Sequence, residues 1–478
     1  MTSYPTLTLL LGGVETATGS LGRAPLLNPA TEEVLTEAPQ AGAEEARRAA
    51  ALSLEGFAEW SAISALERSK VLRRAADLMR AEADEAALVM SLEQGKILAQ
   101  ARGEWLVSAD LLDWFAEEGR RAYGRVIPAR AANQHWEVRK RPLGPVAALA
   151  PWNFPAWTVL QKVAPALAAG CSVVVKPAEN TPATALHIAR CLLRAGLPPK
   201  AISVIWGNPG EIASTLVAAP EIRKVTLTGS TRVGRIIASE AGQHLKKATM
   251  ELGGHAPVIV ARDADVAAAA RLAAEWKFRN AGQVCVSPTR FLVEAPVYEA
   301  FIAHAAEVAS ALRVGPGKEG ESQMGPLATR NQLNHIMDLV ADARSKGARV
   351  ACGGERLGEK GYFHAPTIIA DATAALKAMN VEPFGPLALV MKVNSIEEAL
   401  AEANRLPIGL ASYAFTDSRR TAETIAGGIK AGMLGINTFA MAMPETPFGG
   451  VLDSGMGSEG GLEGLDAFMT PFTISSLS

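Results

Sequence analysis

An alternation of short apolar strands with helices in the middle of the chain constrains the fold most. Thr181, followed by Pro182, is typical of a helix start, and Gly196 is typical of a helix end. Strands separated by helices at this spacing pair in parallel, because each helix carries the chain back along the sheet. The sequence therefore predicts a parallel α/β sheet with strands at residues 146–149, 172–176, 202–205 and 224–228.

A glycine turn follows the last of these strands and opens a further helix. It runs from Gly229 through Ser230 to Gly234. Unpaired amides and the positive end of a helix attract anions. The glycine spacing departs from the usual dinucleotide fingerprint, so a purely structural turn is an equal alternative. Lys176 and Glu179 follow another strand, where such sheets bind ligands, although both could be solvated loop charges.

The flanking stretches differ in character. Residues 41–119 are alanine-rich with a helical pattern, and residues 123–141 read as an edge hairpin, which is either an oligomer contact or plain surface. Strand and helix patterns alternate again over residues 251–437, which predicts a second α/β domain. The glycine-rich stretch 447–464 is either a linker or a set of tight turns over a ligand. The tail, residues 471–478, can add a strand to a sheet.

Composition narrows the class of protein. A chain of 478 residues suggests two or three domains. With 47 Lys and Arg against 49 Asp and Glu, the chain lacks the basic surface of a nucleic-acid binder. Its four cysteines form no CxxC pair, which argues against a zinc site and a disulfide framework. No uncharged apolar run approaches the roughly 18 residues of a membrane span. We expect a cytoplasmic protein without metal, acting on a small molecule.

Cys285 is the candidate nucleophile. Small residues precede it, and Arg279 and Arg290 lie on either side in the sequence. Arginines near a thiol favour the thiolate, so this stretch predicts a cationic setting for Cys285. The alternative is an inert core residue, since free cysteines are among the most buried residues.

Seven short motifs, taken together and in order, resemble the NAD(P)-dependent aldehyde dehydrogenase superfamily over nearly the whole chain. Within it, the chain looks closest to the succinic and α-ketoglutaric semialdehyde dehydrogenases. The motifs lie at residues 151–155, 176–179, 228–231, 251–254, 282–285, 382–386 and 447–450.

The resemblance implies an α/β subunit of three parts. A Rossmann-like cofactor domain would comprise residues 1–119 and 142–249, with a return segment at 438–465. An α/β catalytic domain would span residues 250–437, and a β-ribbon oligomerisation element would combine 120–141 with 466–478. Members of the family are homodimers or homotetramers.

The resemblance also implies roles for site residues. Cys285 would be the nucleophile, Asn153 an oxyanion donor, and Glu251 the base that activates water, with a pKa raised by apolar surroundings. The presence of Glu251 argues against the CoA-acylating branch. The cofactor is expected to be NAD, with NADP possible, because a carboxylate at Glu179 should repel a 2′-phosphate. Cofactor-binding positions are Trp152, Lys176, Glu179, Gly229, Ser230, Val233, Leu252, Glu382 and Phe384.

The positions that bind the substrate are where this sequence differs from the semialdehyde dehydrogenases. Semialdehyde enzymes usually have an arginine at the position of Gln161, whereas Arg279 matches another carboxylate-binding arginine. Trp157 adds an apolar wall, and Ser287 is the fourth predicted substrate contact. A semialdehyde substrate is predicted, with a broad-specificity or an apolar or aromatic aldehyde dehydrogenase as the alternative.

Two further departures carry less weight. Val286 stands where some relatives have a second cysteine, which predicts no redox switch between adjacent cysteines. Leu452 stands where lysine is usual, and the sequence gives no account of it.

Two hypotheses of other classes remain. A non-catalytic relative could keep the fold, but the three catalytic residues are all present. A thiol hydrolase would pair its cysteine with a histidine, and no histidine of this sequence lies in a recognisable partner motif.

Overall fold

The predicted parallel strands form the centre of an eight-stranded sheet. This computed structural model describes residues 4–477. All four predicted strands are confirmed, two of them one residue shorter than expected. The order across the sheet is Val14–Thr16, Leu9–Leu11, Ile202–Val204, Val173–Lys176, Val146–Leu149, Lys224–Thr228, Lys247–Glu251 and Gly455–Met456. The central strands from Ile202–Val204 to Lys247–Glu251 run parallel, and the remaining strands pair antiparallel at the edges.

Helices cover both faces of this sheet and enclose one continuous apolar core. Three tryptophans, Trp60, Trp105 and Trp206, are completely buried in it. Pro182 begins a helix, and Gly196, with φ +101°, follows the end of that helix, as predicted. The helices are Ala43–Ala62, Ala65–Ala81, Ala83–Gln94, Leu98–Glu118, Trp157–Ala169, Pro182–Arg194, Pro209–Ala218 and Thr231–Gln243. A separate hairpin pairs Arg23–Leu27 with Val34–Pro39.

A second, seven-stranded sheet is built from later residues. Its order is Arg349–Cys352, Thr367–Ala370, Leu387–Val393, Arg290–Glu294, Pro257–Val260, Ala411–Phe415 and Met433–Ile436. Its helices are Val266–Phe278, Tyr298–Ala311, Arg330–Ser345, Ile396–Ala403 and Arg419–Gly428. Short 3-10 turns lie at Gly119–Arg121, Pro199–Ala201, Arg279–Gly282, Ala295–Val297 and Lys377–Met379.

The predicted edge hairpin and the tail form a third sheet. Arg125–Ile127 pairs with Gln134–Pro142, and Met469–Leu477 pairs antiparallel along the other edge of the same strand. Ser478, the last residue of the predicted tail, lies outside the described residues. The domain limits and the role of this ribbon in oligomers stay predictions.

Short elements join the two large sheets near the return segment. Glu251 ends its strand beside Gly455, and Ile408–Gly409 pairs with Val451–Leu452. Leu452 is exposed and has a positive φ of +56°. A small helix, Gly461–Asp466, follows. Among residues 4–477, no helix combines the length and the apolar character needed to cross a membrane.

Candidate active site

A cavity of about 590 Å³ contains Cys285 and most of the predicted site residues. Lys176, Glu179, Val233 and Glu251 are the predicted residues that do not line it. The predicted residues in its lining are Trp152, Asn153, Trp157, Gln161, Gly229, Ser230, Leu252, Arg279, Cys285, Ser287, Glu382 and Phe384. Residues more than 230 positions apart in sequence, from Trp152 to Phe384, therefore share one cavity.

The turn that carries Cys285 is fixed on both sides. The backbone N–H of Ser287 donates to the carbonyl of Val284 over 2.9 Å, and the Tyr413 hydroxyl donates to the carbonyl of Val286 over 2.7 Å. Before the turn, Gly282 has φ +72°, and a Cβ there would lie 2.1 Å from the carbonyl oxygen of Gly385. Only glycine fits this position, because a side chain would be both strained and in collision.

Asn153 is held against this turn. Its side-chain amide donates to the carbonyl of Gln283 over 3.1 Å. Its own carbonyl accepts hydrogen bonds from Asn280 Nδ2 at 2.9 Å and from Lys96 Nζ at 3.0 Å. An amide nitrogen carries two donors, so one N–H of Asn153 is left for a ligand in the cavity.

Lys96 and Glu104 form a buried ion pair that the sequence did not single out. Each side chain is 1% exposed. Glu104 Oε1 also accepts the backbone N–H groups of Ala156 at 2.9 Å and Trp157 at 3.2 Å. The pair therefore anchors the loop that carries Asn153. No sequence signal marked these two charges as structural.

Glu251 is buried without a partner. The residue is 1% exposed, and neither carboxylate oxygen has a hydrogen-bond partner within residues 4–477. Burial, and then the charge of Glu459, raise the pKa of Glu251 well above its usual value, as predicted. Glu459 itself pairs with Lys162 at 2.6 Å. An unpartnered buried carboxyl group with a raised pKa suits general-base chemistry.

The predicted cationic setting of Cys285 is wrong. Burial, followed by the charges of Glu382 and Glu251, raises the pKa of the Cys285 thiol to about 12. Arg290 points away and donates to the carbonyls of His255, Glu402 and Ala403, each over 3.0 Å. Carboxylates distant in sequence, and not the neighbouring arginines, dominate the field at the thiol.

The cofactor positions form a second group of polar residues. Ser230 caps the helix Thr231–Gln243, with Val233 in its first turn, and Lys176 ends its strand in an ion pair with Glu179. The neighbouring Asn180 Nδ2 and Thr181 Oγ1 are buried and without partners among the described residues. A helix N-terminus after one strand, and a cation with unpaired polar atoms after another strand of the same sheet, fit the phosphates and ribose of a dinucleotide.

Glu382 and two aromatic residues, Trp152 and Phe384, complete the cofactor positions that line the cavity. Burial raises the pKa of Glu382 to about 8, although a hydrogen bond from the Gly254 N–H and the charge of Lys277 oppose the shift. A Cβ on Gly253 would lie 2.6 Å from Glu382 Oε2. Trp152 and Phe384 pack edge to face with ring centroids 5.6 Å apart.

The predicted substrate residues also line the cavity: Ser287 lies in the turn of Cys285, and we call the part lined by Trp157, Gln161 and Arg279 the far end. Arg279 is partly buried and has no hydrogen bond or ion pair within residues 4–477, whereas its guanidinium lies 5.3 Å from the Trp276 ring centroid and 5.9 Å from that of Phe154. Burial lowers its pKa, and Glu104 opposes that shift. Trp276 and Phe439 also line the cavity, with centroids 6.2 Å apart. No sequence motif marks either ring as part of the site, although Trp276 lies one helical turn before Arg279.

Comparisons with known proteins agree with this arrangement. The profile described as the aldehyde dehydrogenase family matches residues 16–474. A 4-(hydroxymethyl)benzenesulfonate dehydrogenase of Comamonas testosteroni is 45% identical over 96% of each chain. A 3-sulfolactaldehyde dehydrogenase of Pseudomonas putida is 41% identical over 92% of this chain and 91% of the relative. The crystal structure of succinate-semialdehyde dehydrogenase from Burkholderia pseudomallei superposes with a TM-score of 0.97 at 39% identity, covering 98% of both chains. The chain belongs to the aldehyde dehydrogenase family.

Proposed function

We propose that this NAD(P)-dependent aldehyde dehydrogenase works through Cys285, Asn153 and Glu251. The observation that carries the proposal is the fixed turn of Cys285 beside the Asn153 amide, with the unpartnered carboxyl group of Glu251 close enough to raise the pKa of the thiol. Such an arrangement suits covalent catalysis with a separate base for hydrolysis.

The residues have distinct tasks in this mechanism. The Cys285 thiol loses its proton to water as its sulfur adds to the aldehyde carbon, and the new oxyanion accepts hydrogen bonds from the Asn153 amide and the backbone N–H of Cys285. Lys176, Glu179, Ser230 and Glu382 would hold NAD(P), which would supply the acceptor for the hydride of this carbon. The product on the protein is a thioester of Cys285. Glu251 then takes a proton from water, the resulting hydroxide attacks the thioester, and the carboxylic acid departs as the thiolate is restored.

The first test removes the nucleophile. Cys285→Ala should abolish NADH formation from an aldehyde, because no thiohemiacetal can form. Cys352→Ala is the matched control, since Cys352 is half-buried at the end of the strand Arg349–Cys352 in the second sheet and does not line the cavity. A wild-type rate in Cys285→Ala would remove the cysteine from the mechanism.

We also propose NAD as the preferred cofactor. Support comes from Glu179, which pairs with Lys176 beside the unpartnered Asn180 and Thr181. A carboxylate there accepts ribose hydroxyl donors and repels a 2′-phosphate. The wild type should have the higher kcat/KM with NAD, and Glu179→Gln should narrow the difference from NADP. Equal values for both cofactors in the wild type would refute the preference.

The substrate is proposed to carry an anionic group at the end away from its aldehyde. Arg279 supports this, because its partly buried guanidinium contacts two aromatic rings but has no hydrogen bond or ion pair within residues 4–477, and a buried charge of this kind is costly unless a ligand neutralises it. The names of three relatives point the same way, since they include a succinate semialdehyde and two sulfonates. A semialdehyde is the first candidate.

An aromatic aldehyde with an acidic substituent is the second candidate. Trp157, Trp276 and Phe439 give the cavity aromatic walls. Gln161 offers an amide at the position where semialdehyde enzymes usually have a second arginine, so the cavity is less specialised for an aliphatic semialdehyde. A benzenesulfonate appears in the name of one relative.

A panel of four aldehydes separates the candidates. Succinic semialdehyde and 4-formylbenzoate carry the anion, while butanal and benzaldehyde are the matched compounds without it. Loss of the anion should lower kcat/KM by about 10- to 100-fold, the usual cost of a hydrogen bond to a charged group. Equal kcat/KM within each pair would refute the anionic class.

We further propose a cytoplasmic homodimer or homotetramer that associates through the ribbon. Val126 and Leu477 leave 67% and 74% of their surfaces exposed on this ribbon. Light scattering on the wild type and on a Val126→Asp, Leu477→Asp variant tests the proposal. A wild-type monomer would refute it, as would a variant that retains the full assembly mass.

A further inference from the structure

Lys277 is a buried cation below the turn of Cys285. It lies in the last turn of the helix Val266–Phe278 and is 1% exposed. Its Nζ donates to Ser287 Oγ over 3.1 Å, and no other acceptor for it is present within residues 4–477. Burial lowers the pKa of Lys277 to about 7, while the charge of Glu382 opposes that shift. A buried ammonium group with a single acceptor is unusual, because desolvating the charge is costly.

Ser287 connects this cation to the cavity. Ser287 is 5% exposed and lines the cavity that contains Cys285. Below its pKa of about 7 the Lys277 side chain is an ammonium group with donors only, so in this bond the serine oxygen is the acceptor. The hydroxyl proton of Ser287 remains, and none of the described residues accepts it. A hydroxyl that is polarised by a cation and free to donate is a strong partner for an anionic or carbonyl oxygen.

We propose that Lys277 is a positioning residue, which holds Ser287 so that the serine hydroxyl donates to an acidic group of the substrate beyond its aldehyde. The inference rests on the proposed oxidation of an anion-bearing aldehyde and adds a second donor to Arg279. Ser287 touches the substrate, and Lys277 acts only through Ser287.

The alternative is that Lys277 serves packing alone. It borders a very small void among Phe278, Phe291 and Phe301, so its loss could loosen the second sheet. A packing role would lower the activity on every aldehyde alike, whereas a positioning role affects only aldehydes with an acidic group.

The experiment is a double-mutant cycle with Ser287→Ala and Lys277→Met, measured with 4-formylbenzoate or succinic semialdehyde and with the matched uncharged aldehyde. Each single variant should lower kcat/KM for the acidic aldehyde about 10-fold, mainly through KM. The double variant should be no worse than Ser287→Ala, and the uncharged aldehyde should change little. Ser287→Thr keeps a hydroxyl and should retain most of the activity.

Several results would overturn the inference. Effects of Lys277→Met and Ser287→Ala that multiply would show that Lys277 does not act through Ser287. An equal loss on both aldehydes would indicate packing. If Lys277→Met does not fold, Ser287→Ala against Ser287→Thr decides, and an unchanged preference for the acidic aldehyde in Ser287→Ala refutes the proposal. A wild type that forms no NADH from any aldehyde would overturn the proposed function itself, which is a different outcome.

Discussion

The two ends of the cavity differ in how their polar groups are partnered. Around Cys285, Asn153 and Tyr413 are held by hydrogen bonds within the protein, and Glu251 is the exception. At the far end, the side chains of Arg279 and Gln161 have no hydrogen bond within residues 4–477. Groups with partners fix a geometry, whereas groups without partners are available to a ligand. The geometry of the near end, around Cys285, is therefore set by the protein, whereas the polar groups of the far end are free to bind the substrate.

Glu251 gives the largest predicted effect, because its buried carboxyl group has no hydrogen-bond partner within residues 4–477 and is therefore free to take a proton. Glu251→Gln should lower the steady-state rate by about 10²- to 10⁴-fold, the usual contribution of a general base. Cys285 can still form its thioester, so rapid mixing should show one burst of NADH followed by slow turnover. An unchanged steady-state rate in Glu251→Gln would show that Glu251 is not the base.

Lys96 tests whether the buried Lys96–Glu104 ion pair anchors the loop that carries Asn153. Lys96→Met leaves Glu104 as an unpaired buried charge beneath the loop of Asn153, which should lower the free energy of unfolding by about 3–5 kcal/mol. Thermal unfolding measures the loss, with Lys70→Met on the exposed Lys70–Glu67 pair as the control. A melting temperature equal to that of the control would contradict an anchoring role for the pair.

Arg279 tests the far end. Arg279→Leu should lower kcat/KM for an anionic aldehyde by about 10- to 100-fold, mainly through KM. It should not destabilise the fold, because the guanidinium has no hydrogen bond or ion pair to lose within the described residues. Arg279→Lys keeps the charge but not the planar guanidinium, so its kcat/KM for an anionic aldehyde should lie between those of the wild type and Arg279→Leu. A fall in kcat for uncharged aldehydes would place Arg279 in the chemistry instead.

The near end was the more predictable from sequence, for a physical reason. Asn153 and Glu251 follow strands of one parallel sheet, and the carboxyl ends of such strands share an edge, so local patterns and motif resemblance together located them. The aromatic wall of Trp276 and Phe439 depends on how distant loops pack, which no local pattern encodes.

The electrostatics of Cys285 could not be predicted from its neighbours in sequence. Arg290 begins a strand whose pairing turns its side chain toward the carbonyls of Glu402 and Ala403. The carboxyl groups of Glu382 and Glu251 reach the thiol from separate parts of the chain. Sequence distance is a poor guide to the field at a buried atom, because burial lets charges from other elements dominate.

Glu382 gives the smallest predicted effect and tests this field directly. Its own pKa is about 8, so above that pH it is a carboxylate, and its negative charge opposes formation of the Cys285 thiolate. Glu382→Gln removes the charge and should lower the pKa of Cys285 by about one unit. The rate of alkylation by iodoacetamide, followed from neutral pH upward, should then rise at lower pH than in the wild type. Glu179→Gln is the control, since Glu179 also carries a carboxyl group but does not line the cavity that contains Cys285. Superimposable pH profiles for Glu382→Gln and the wild type would show that burial alone raises the pKa of Cys285, and the near end would then owe its electrostatics to packing and not to its carboxylates.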